Sequence, residues 1–151
     1  QLFESKKRLE LEMEKIAKAE YQQTIEYLTS IPGIGLKTAT MLIVITDNFK
    51  KFVNYKQLLA YVGFSPRIYQ SGTSVKSRGS ICKMGKSQIR KLLYLCSWSA
   101  KRCNAKCKEM YERLKLKNKP ERVIKIAIAN KLLKQAFAIV NKKEKYQESF
   151  C

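Results

Sequence analysis

The residues best suited to chemistry are five serines in one Gly- and Ser-rich segment, residues 63–85, which also carries Lys and Arg. They are Ser65, Ser71, Ser74, Ser77 and Ser80. The chain has no histidine, which removes the Ser–His–Asp and Cys–His arrangements that activate many nucleophiles. Any reaction must therefore use Ser, Lys, Arg, Tyr or carboxylates, or a metal held by a partner domain. Spacing within the segment does not choose among the five serines.

The sequence around these serines is strongly basic. No acidic residue occurs between Asp47 and Glu109, and the 61 intervening positions hold 14 Lys or Arg, in a chain of net charge +19. An ordinary solvated surface mixes both signs, whereas a surface without carboxylates attracts a polyanion. The pattern predicts nucleic-acid binding, with a merely soluble basic protein as the alternative. No apolar run reaches the length of a membrane span.

A second predicted contact with nucleic acid lies in residues 30–39, where a Pro-Gly-Ile-Gly turn joins two stretches of helical periodicity. This arrangement resembles a helix–hairpin–helix. Gly33 and Gly35 let the turn approach a phosphate, and the amides that begin the second helix can bind the anion. Lys37 and Thr38 can add a charge and a hydroxyl. Such contacts position DNA without reading its sequence. The alternative is an ordinary turn between helices.

The hydrophobic periodicity predicts a mainly α fold. Residues 1–29 form a long, coiled-coil-like connector helix, residues 30–141 a compact helical domain, and residues 142–151 a polar tail. Inside the domain we expect helices at about 36–46, 55–62, 86–108 and from Pro120 to Val140. Residues 63–85 lack helical periodicity, which favours a functional loop with a small β-hairpin through Ser71-Gly72. Disorder of this segment is the alternative.

The cysteines offer little for metal binding. Cys96, Cys103 and Cys107 are spaced i, i+7 and i+11, one face of the helix expected over residues 86–108. A structural zinc site needs a fourth ligand and usually a CxxC or histidine spacing. We therefore expect buried, reduced, structural cysteines and no metal site in this chain.

Four segments, in this order, resemble the C-terminal transposase domain of the DEDD insertion-sequence transposases. These proteins are related to the Piv-type DNA invertases and act as bridge-RNA-guided serine recombinases. The resemblance covers residues 28–140 and rests on SIPGIGLKTA, DNFKKFVNYKQLLAYVGFSP, SGTSVKSRGSICKMGKSQIRKLLY and AIANKLLKQAF. In that family a long helix precedes this domain, and a RuvC-like domain with metal-binding carboxylates precedes the helix. We therefore expect this chain to be a piece of a longer protein and inactive alone.

The resemblance implies that Ser71, in a Ser-Gly motif after the G-x-x-P segment, is the catalytic nucleophile. Its attack on a DNA phosphodiester gives a phosphoserine and a free 3′-hydroxyl, and the hydroxyl of a second strand reverses the step. Carboxylates of the missing RuvC-like domain, with Mg²⁺, activate the serine. No cofactor is expected within this chain.

The same resemblance includes a G-x-I-x-K-x-G-x(4)-R pattern, matched here from Gly79 to Arg90, with Cys82 where relatives carry Ser. It implies phosphate clamps at a helix N-terminus, where the helix dipole favours an anion. The clamps are Lys83, Lys86 and Arg90. Arg90 could instead pair with a backbone carbonyl.

Four more expected DNA contacts lie in the serine segment: Arg67, Gly72, Lys76 and Arg78. Arg67 and Arg78 flank the nucleophile and could neutralise the scissile phosphate. Tyr61 and Tyr69 could stack on bases or belong to the core.

The expected partners are DNA, a structured guide RNA and, through the first helix, a second copy of the chain; no membrane is expected. The expected location is the bacterial cytoplasm, at the nucleoid. Two interpretations compete with a strand-joining domain. One is a non-catalytic helix–hairpin–helix binding module, which is indifferent to the serines. The other is an assembly module built on the first helix.

Overall fold

A computed structural model describes residues 1–67, 70–71, 75–76, 80–81 and 85–148. For residues 67, 70–71, 75–76 and 80–81 it describes the backbone only. The described part contains α-helices and four two-residue strands, which confirms the mainly α fold class. The elements are α1 (Leu2–Thr29), α2 (Leu36–Thr46), α3 (Tyr55–Val62), β1 (Pro66–Arg67), β2 (Gln70–Ser71), β3 (Val75–Lys76), β4 (Ser80–Ile81), α4 (Ser87–Cys103), α5 (Ala105–Leu116) and α6 (Glu121–Lys142).

The first three helices begin and end where the sequence predicts. Asn54 caps α3, since its Oδ1 accepts the N–H of Gln57 at 3.0 Å, the contact expected of an N-cap asparagine. Gly63 ends the same helix at φ 89°, a left-handed conformation that glycine adopts without a steric penalty. α1 is kinked at Tyr21, whose φ of −127° and ψ of 32° are not helical.

The single helix predicted over residues 86–108 is wrong. α4 ends at Cys103 and α5 begins at Ala105, with Asn104 between them at φ −106° and ψ 111°. The Oδ1 of Asn104 accepts the N–H of Cys107 at 3.2 Å, so asparagine starts a new helix. Short polar side chains of this kind compete with the helical hydrogen bonds of the backbone.

The Asn104 side chain also joins distant parts of the chain. Its Nδ2 donates to the carbonyl oxygen of Pro32 at 3.3 Å and to Oε1 of Gln135 at 3.1 Å. Tyr146 donates its hydroxyl to Asn104 Oδ1 at 3.3 Å, and its backbone N–H to Ser30 Oγ at 2.8 Å. Asn104 is fully buried, where a polar side chain must be hydrogen-bonded to be tolerated. It therefore ties the hairpin turn, α6 and the C-terminal segment together.

The break at Asn104 also corrects the expected arrangement of the cysteines. Cys107 is buried and Cys96 half-buried, but Cys103 is exposed. A spacing of i, i+7 and i+11 shares one face only while the helix is continuous. Because Cys107 belongs to a second helix, the three thiols do not form one buried face.

α6 lies at the centre of the core, in contact with α1, α3, α4 and α5. The buried last helix expected from the sequence is confirmed for most of its length, since ten of its residues are buried, although Val123 in its first turn is 50% exposed. The largest fully buried side chains come from all parts of the domain: Leu28, Ile31, Leu42, Leu58, Val62, Ile89, Leu93, Ile124, Ile128, Leu132, Leu133 and Ile139. Phe49 adds a ring 6.4 Å from that of Phe137.

The four strands form two antiparallel pairs. β1 pairs with β4, placing Arg67 opposite Ser80, and β2 pairs with β3, placing Ser71 opposite Val75. The small β-hairpin predicted for this segment is therefore present in its backbone, although Ser71 lies in a strand. The helices of the described chain include none with the length and hydrophobicity needed to cross a membrane.

Candidate nucleic-acid interface

The hairpin between α1 and α2 uses its two glycines differently. Gly33 has a φ of +104°, and a Cβ placed there would lie 2.7 Å from the Cβ of Ala100 in α4. The absence of a side chain thus lets the turn pack directly on α4. Gly35 has a φ of −91°, is exposed and has nothing within 4 Å of a Cβ placed on it. Of the two, Gly35 is the one that a phosphate can approach.

The two polar candidates that follow the hairpin are also separated by the structure. Lys37 Nζ forms an ion pair with Glu10 Oε2 at 2.8 Å, and this hydrogen bond, followed by the charges of Lys37 and Lys6, lowers the pKa of the Glu10 carboxyl. Thr38 is 5% exposed, and its hydroxyl lies 3.3 Å from Cys96 Sγ. The Thr38 hydroxyl therefore lies inside the protein in this conformation, away from any phosphate at the surface.

The serine-containing segment leaves and re-enters the helical body at one point. Gly85 has a φ of +110°, and a Cβ placed there would lie 2.8 Å from the carbonyl oxygen of Val62 and 2.9 Å from the nitrogen of Gly63. Arg90 Nη1 donates to the same Val62 oxygen at 2.8 Å. We call Val62, Gly63, Gly85 and Arg90 the loop clamp. The sequence left two roles for Arg90, which were phosphate binding and pairing with a backbone carbonyl. The structure shows the carbonyl contact.

An open cleft of about 550 Å³ lies beside the loop clamp. It is formed by Phe64, which follows α3, by the first half of α4 and by the start of α6. Its lining contains three cations and no carboxylate among the described residues. The lining residues are Phe64, Ser87, Arg90, Lys91, Tyr94, Arg122 and Ile126. A basic cleft with aromatic walls suits a phosphodiester backbone, which needs cations along its path and tolerates stacking beside it. We call it the α4–α6 cleft.

Sequence reasoning missed Lys91, Tyr94 and Arg122 as members of this cleft. Lys91 and Tyr94 lie in the acid-free stretch between Asp47 and Glu109. That stretch indicates nucleic-acid binding in general but does not single out these two residues. Arg122 follows Glu121, outside that stretch, and no local pattern distinguishes it. It joins the cleft because α6 packs on α4.

Lys86 and Tyr61 lie next to the clamp. Lys86 Nζ is 5.5 Å from the centre of the Tyr61 ring, within the range of a cation–π contact. The Tyr61 ring also packs on Phe52 at 5.2 Å, and its hydroxyl donates to the carbonyl oxygen of Ile45 at 3.2 Å. Tyr61 is 38% exposed, so its ring belongs to the edge of the core with one side open.

The remaining candidates lie in the segment between α3 and α4. The structure places the backbones of Arg67, Ser71 and Lys76 in β1, β2 and β3. The other candidates of this segment lie outside the described residues: Tyr69, Gly72, Arg78, Gly79, Cys82 and Lys83.

The described cysteines differ in burial. Burial raises the pKa of the Cys107 thiol to about 12, with nearby Cys103 raising it further and Lys131 opposing the shift. Cys107 is therefore a thiol at neutral pH and a poor nucleophile. Exposed Cys103 donates to the carbonyl oxygen of Ser99 at 3.2 Å. Among the described residues no three His, Cys, Asp or Glu side chains are grouped so as to hold a metal ion.

Comparison with known proteins gives a consistent set of relatives. Residues 25–112 match the family described as Transposase IS116/IS110/IS902 family. The chain is 32% identical over 123 residues to the pilin gene-inverting protein of Moraxella lacunata, an alignment that covers 80% of this chain and 38% of that protein. It is 33% identical over 75 residues to the transposase for insertion sequence element IS1328 of Yersinia enterocolitica, covering 50% and 22%.

A third relative is the uncharacterized 43.6 kDa protein of insertion element IS110 in Streptomyces coelicolor, 25% identical over 113 residues that cover 75% of this chain and 28% of that protein. The chain thus spans well under half the length of these relatives. The family match includes the hairpin, the loop clamp and the serine segment, and ends before α6 begins.

Proposed function

Because the chain belongs to the IS116/IS110/IS902 transposase family, we propose that it is the DNA-binding and strand-joining part of an insertion-sequence transposase or recombinase. One observation carries the proposal: the segment with Ser71 starts and ends at the loop clamp, beside the α4–α6 cleft. A DNA strand bound along Lys91 and Arg122 lies at the base of that segment. Binding and chemistry therefore share one side of the domain.

The reaction we propose is attack by Ser71 on a DNA phosphodiester. A bond forms between Ser71 Oγ and phosphorus, and the bond from phosphorus to the 3′-oxygen breaks, leaving a phosphoserine ester and a 3′-hydroxyl after proton uptake. The 3′-hydroxyl of a second strand then attacks the ester and restores the serine. Each step exchanges one P–O bond for another, so the joining needs no external energy source.

The proton of the Ser71 hydroxyl must go to a base outside this segment. The chain has no histidine, and the stretch of 61 residues around Ser71 has no carboxylate. We propose that the base belongs to a preceding RuvC-like domain in the DEDD and Piv-related proteins that the sequence resembles. In the proteins that the sequence resembles, that domain carries metal-binding carboxylates, and we propose that it also holds the Mg²⁺.

The cations of this chain have the role of holding the phosphate. Lys91 and Arg122 line the α4–α6 cleft, and Lys86 adds a charge at the start of α4, where the helix dipole favours an anion. Arg67 and Arg78 flank Ser71 in the sequence and are proposed to neutralise the scissile phosphate. Arg90 is proposed to hold the base of the segment through Val62, besides the phosphate contact expected of it.

The experiment that tests this function looks for the covalent intermediate. The full-length protein is incubated with its guide RNA, Mg²⁺ and a nicked junction DNA, which traps the ester by preventing the second attack. We expect a protein–DNA adduct on a denaturing gel and, after proteolysis, a nucleotide-bearing peptide at Ser71. No adduct under these conditions would contradict serine chemistry, and an adduct at Ser65, Ser74, Ser77 or Ser80 would keep the reaction and replace the residue.

A non-catalytic binding module is the alternative function. The observation in its favour is the start of α2, where exposed Gly35 begins the helix without a side-chain cap and leaves its amides for an anion. In that case the adduct is absent, and DNA affinity does not depend on any serine.

We also propose that α1 pairs two copies of the chain, within an assembly that includes the guide RNA. Its first half exposes large apolar side chains: Leu2, Phe3, Leu9, Leu11 and Ile16. Apolar residues repeating along an exposed helix are typical of a helix that packs on a partner helix.

Replacing Leu9 and Ile16 with Lys is expected to convert dimers to monomers in light scattering without lowering the melting temperature, since both side chains are exposed. The matched control replaces Val53 and Leu116, which are also exposed, and is expected to leave the mass unchanged. A wild-type chain that is monomeric at high concentration would exclude this pairing.

A further inference from the structure

A second basic groove lies on the other flank of α6, outside every candidate that the sequence supplied. It has a volume of about 370 Å³ and is formed by α3, α5 and the middle of α6. Its lining residues are Tyr55, Leu59, Met110, Arg113, Ala127, Asn130, Lys131 and Lys134. We call it the α3–α5–α6 groove.

The chemistry of this groove matches that of the α4–α6 cleft. Three cations line it, and no carboxylate does so among the described residues. Lys134 Nζ lies 5.2 Å from the centre of the Tyr55 ring, so a cation and an aromatic face are presented together. By contrast, the cleft between α1 and α2 and the neighbouring cleft that α4 also lines both include the carboxylate of Glu10, which makes them less favourable for an anion.

The two sites lie along one helix. Arg122 and Ile126 line the α4–α6 cleft, and the groove begins at the next residue, Ala127, and extends to Lys134. Lys134 lies twelve positions after Arg122, which is about 18 Å along the helix axis. A duplex advances 3.4 Å per base pair, so this distance spans about five base pairs.

We propose that α6 is the ridge of one continuous track for a phosphodiester backbone, which runs from the α4–α6 cleft into the α3–α5–α6 groove. Arg113, Lys131 and Lys134 contact its phosphates, and Tyr55 lies beside the sugar or a base. The inference rests on the proposed function only because that function makes the ligand a nucleic acid. It does not depend on the role of Ser71. It extends the interface beyond residue 112, where the family match ends.

The test removes two cations from the groove of the full-length protein. Arg113→Ala and Lys134→Ala are combined, because both side chains are exposed and their loss should leave the fold intact. The matched control combines Arg102→Ala with Lys117→Ala, one Arg and one Lys that are exposed near the ends of α4 and α5 and that line neither the cleft nor the groove. Both variants lose two positive charges. A difference in their affinities therefore reflects where the charges lie and not the total charge of the protein.

Affinity is measured by fluorescence anisotropy at several salt concentrations, with a junction DNA and separately with the guide RNA. For the groove variant we expect affinity to fall about 10- to 100-fold near 0.1 M salt, and the slope of log K against log salt to become shallower by about 2, since two phosphate contacts are lost. For the control we expect a change of less than about threefold. A loss with DNA alone assigns the groove to DNA, and a loss with RNA alone assigns it to the guide.

A second measurement keeps the proposal falsifiable if the double variant is unstable. A photo-cross-linking amino acid in place of Asn130, which is half-buried in the groove, should cross-link to the bound nucleic acid. Equal affinities of groove and control variants with both ligands, or no cross-link from position 130, would overturn the track. A Ser71 adduct that still forms in that case would leave the proposed function standing.

Discussion

Replacing Ser71 with alanine in the full-length protein is expected to abolish strand exchange and to leave DNA affinity within about twofold of wild type. The substitution removes only the hydroxyl oxygen that we propose to attack phosphorus. Removal of a serine nucleophile in a hydrolase lowers turnover by up to about 10⁶, and we expect a loss of at least about 10³ here. Exchange is measured as recombined product from a supercoiled donor, and affinity by gel shift with the same DNA.

The controls for this prediction are the neighbouring serines. Ser65→Ala, Ser74→Ala, Ser77→Ala and Ser80→Ala should each keep most of the exchange activity. Ser71 and Val75 are paired through the strand backbones of β2 and β3, a pairing that alanine can also make. Residual exchange in Ser71→Ala would refute the nucleophile, and an equal loss of affinity would mean that Ser71 serves binding.

The second large effect concerns stability: Gly33→Ala should destabilise the isolated chain by about 3 kcal/mol or more. A Cβ at this position lies 2.7 Å from the Cβ and 2.9 Å from the Cα of Ala100. The second contact is with backbone, which cannot rotate away. In addition, a φ of +104° is strained for any residue with a side chain. For a chain of this length the loss corresponds to a fall of about 6–12 °C in melting temperature.

Gly35→Ala is the matched control for this substitution. Its φ of −91° suits alanine, and no atom lies within 4 Å of the added Cβ, so we expect stability to change by less than about 1 kcal/mol. Thermal and urea unfolding measure both variants. Equal stability of the two would contradict the packing of the hairpin on α4.

The same pair of variants also separates the two uses of the hairpin. If the start of α2 binds a phosphate, Gly35→Ala reduces DNA affinity although it leaves stability unchanged, because the new methyl group stands where the anion approaches. Combining Gly33→Ala with Ala100→Gly should restore only part of the lost stability, since the contacts with the backbone of residue 100 and the strained φ remain.

The sequence by itself determined the helical class, the bounds of the first three helices and the presence of a basic, acid-free segment in which we propose that binding and chemistry concentrate. These features depend on local physics. Asn54 and Gly63 act on amides and dihedral angles within a few residues, so the ends of α3 are readable from composition and spacing. The absence of carboxylates around Ser71 can likewise be read from the sequence, because the charge of a segment does not depend on how the chain folds.

Only the tertiary structure decided which candidates meet. Asn104 breaks the helix predicted over residues 86–108 and is satisfied there by Pro32, Gln135 and Tyr146, all more than 30 residues away. A local pattern cannot show that these partners are available. The structure also turns Thr38 toward the interior.

Arg90 and Arg122 show that a local pattern also fails to place the residues of the candidate interface. Arg90 finds the Val62 carbonyl 28 residues before it, and Arg122 enters the α4–α6 cleft through the packing of α6 on α4. Neither position follows from charge or spacing, because hydrogen bonds and burial between distant segments depend on how the helices pack. The sequence determined what this surface is made of, and the packing of six helices determined which of its cations lie together.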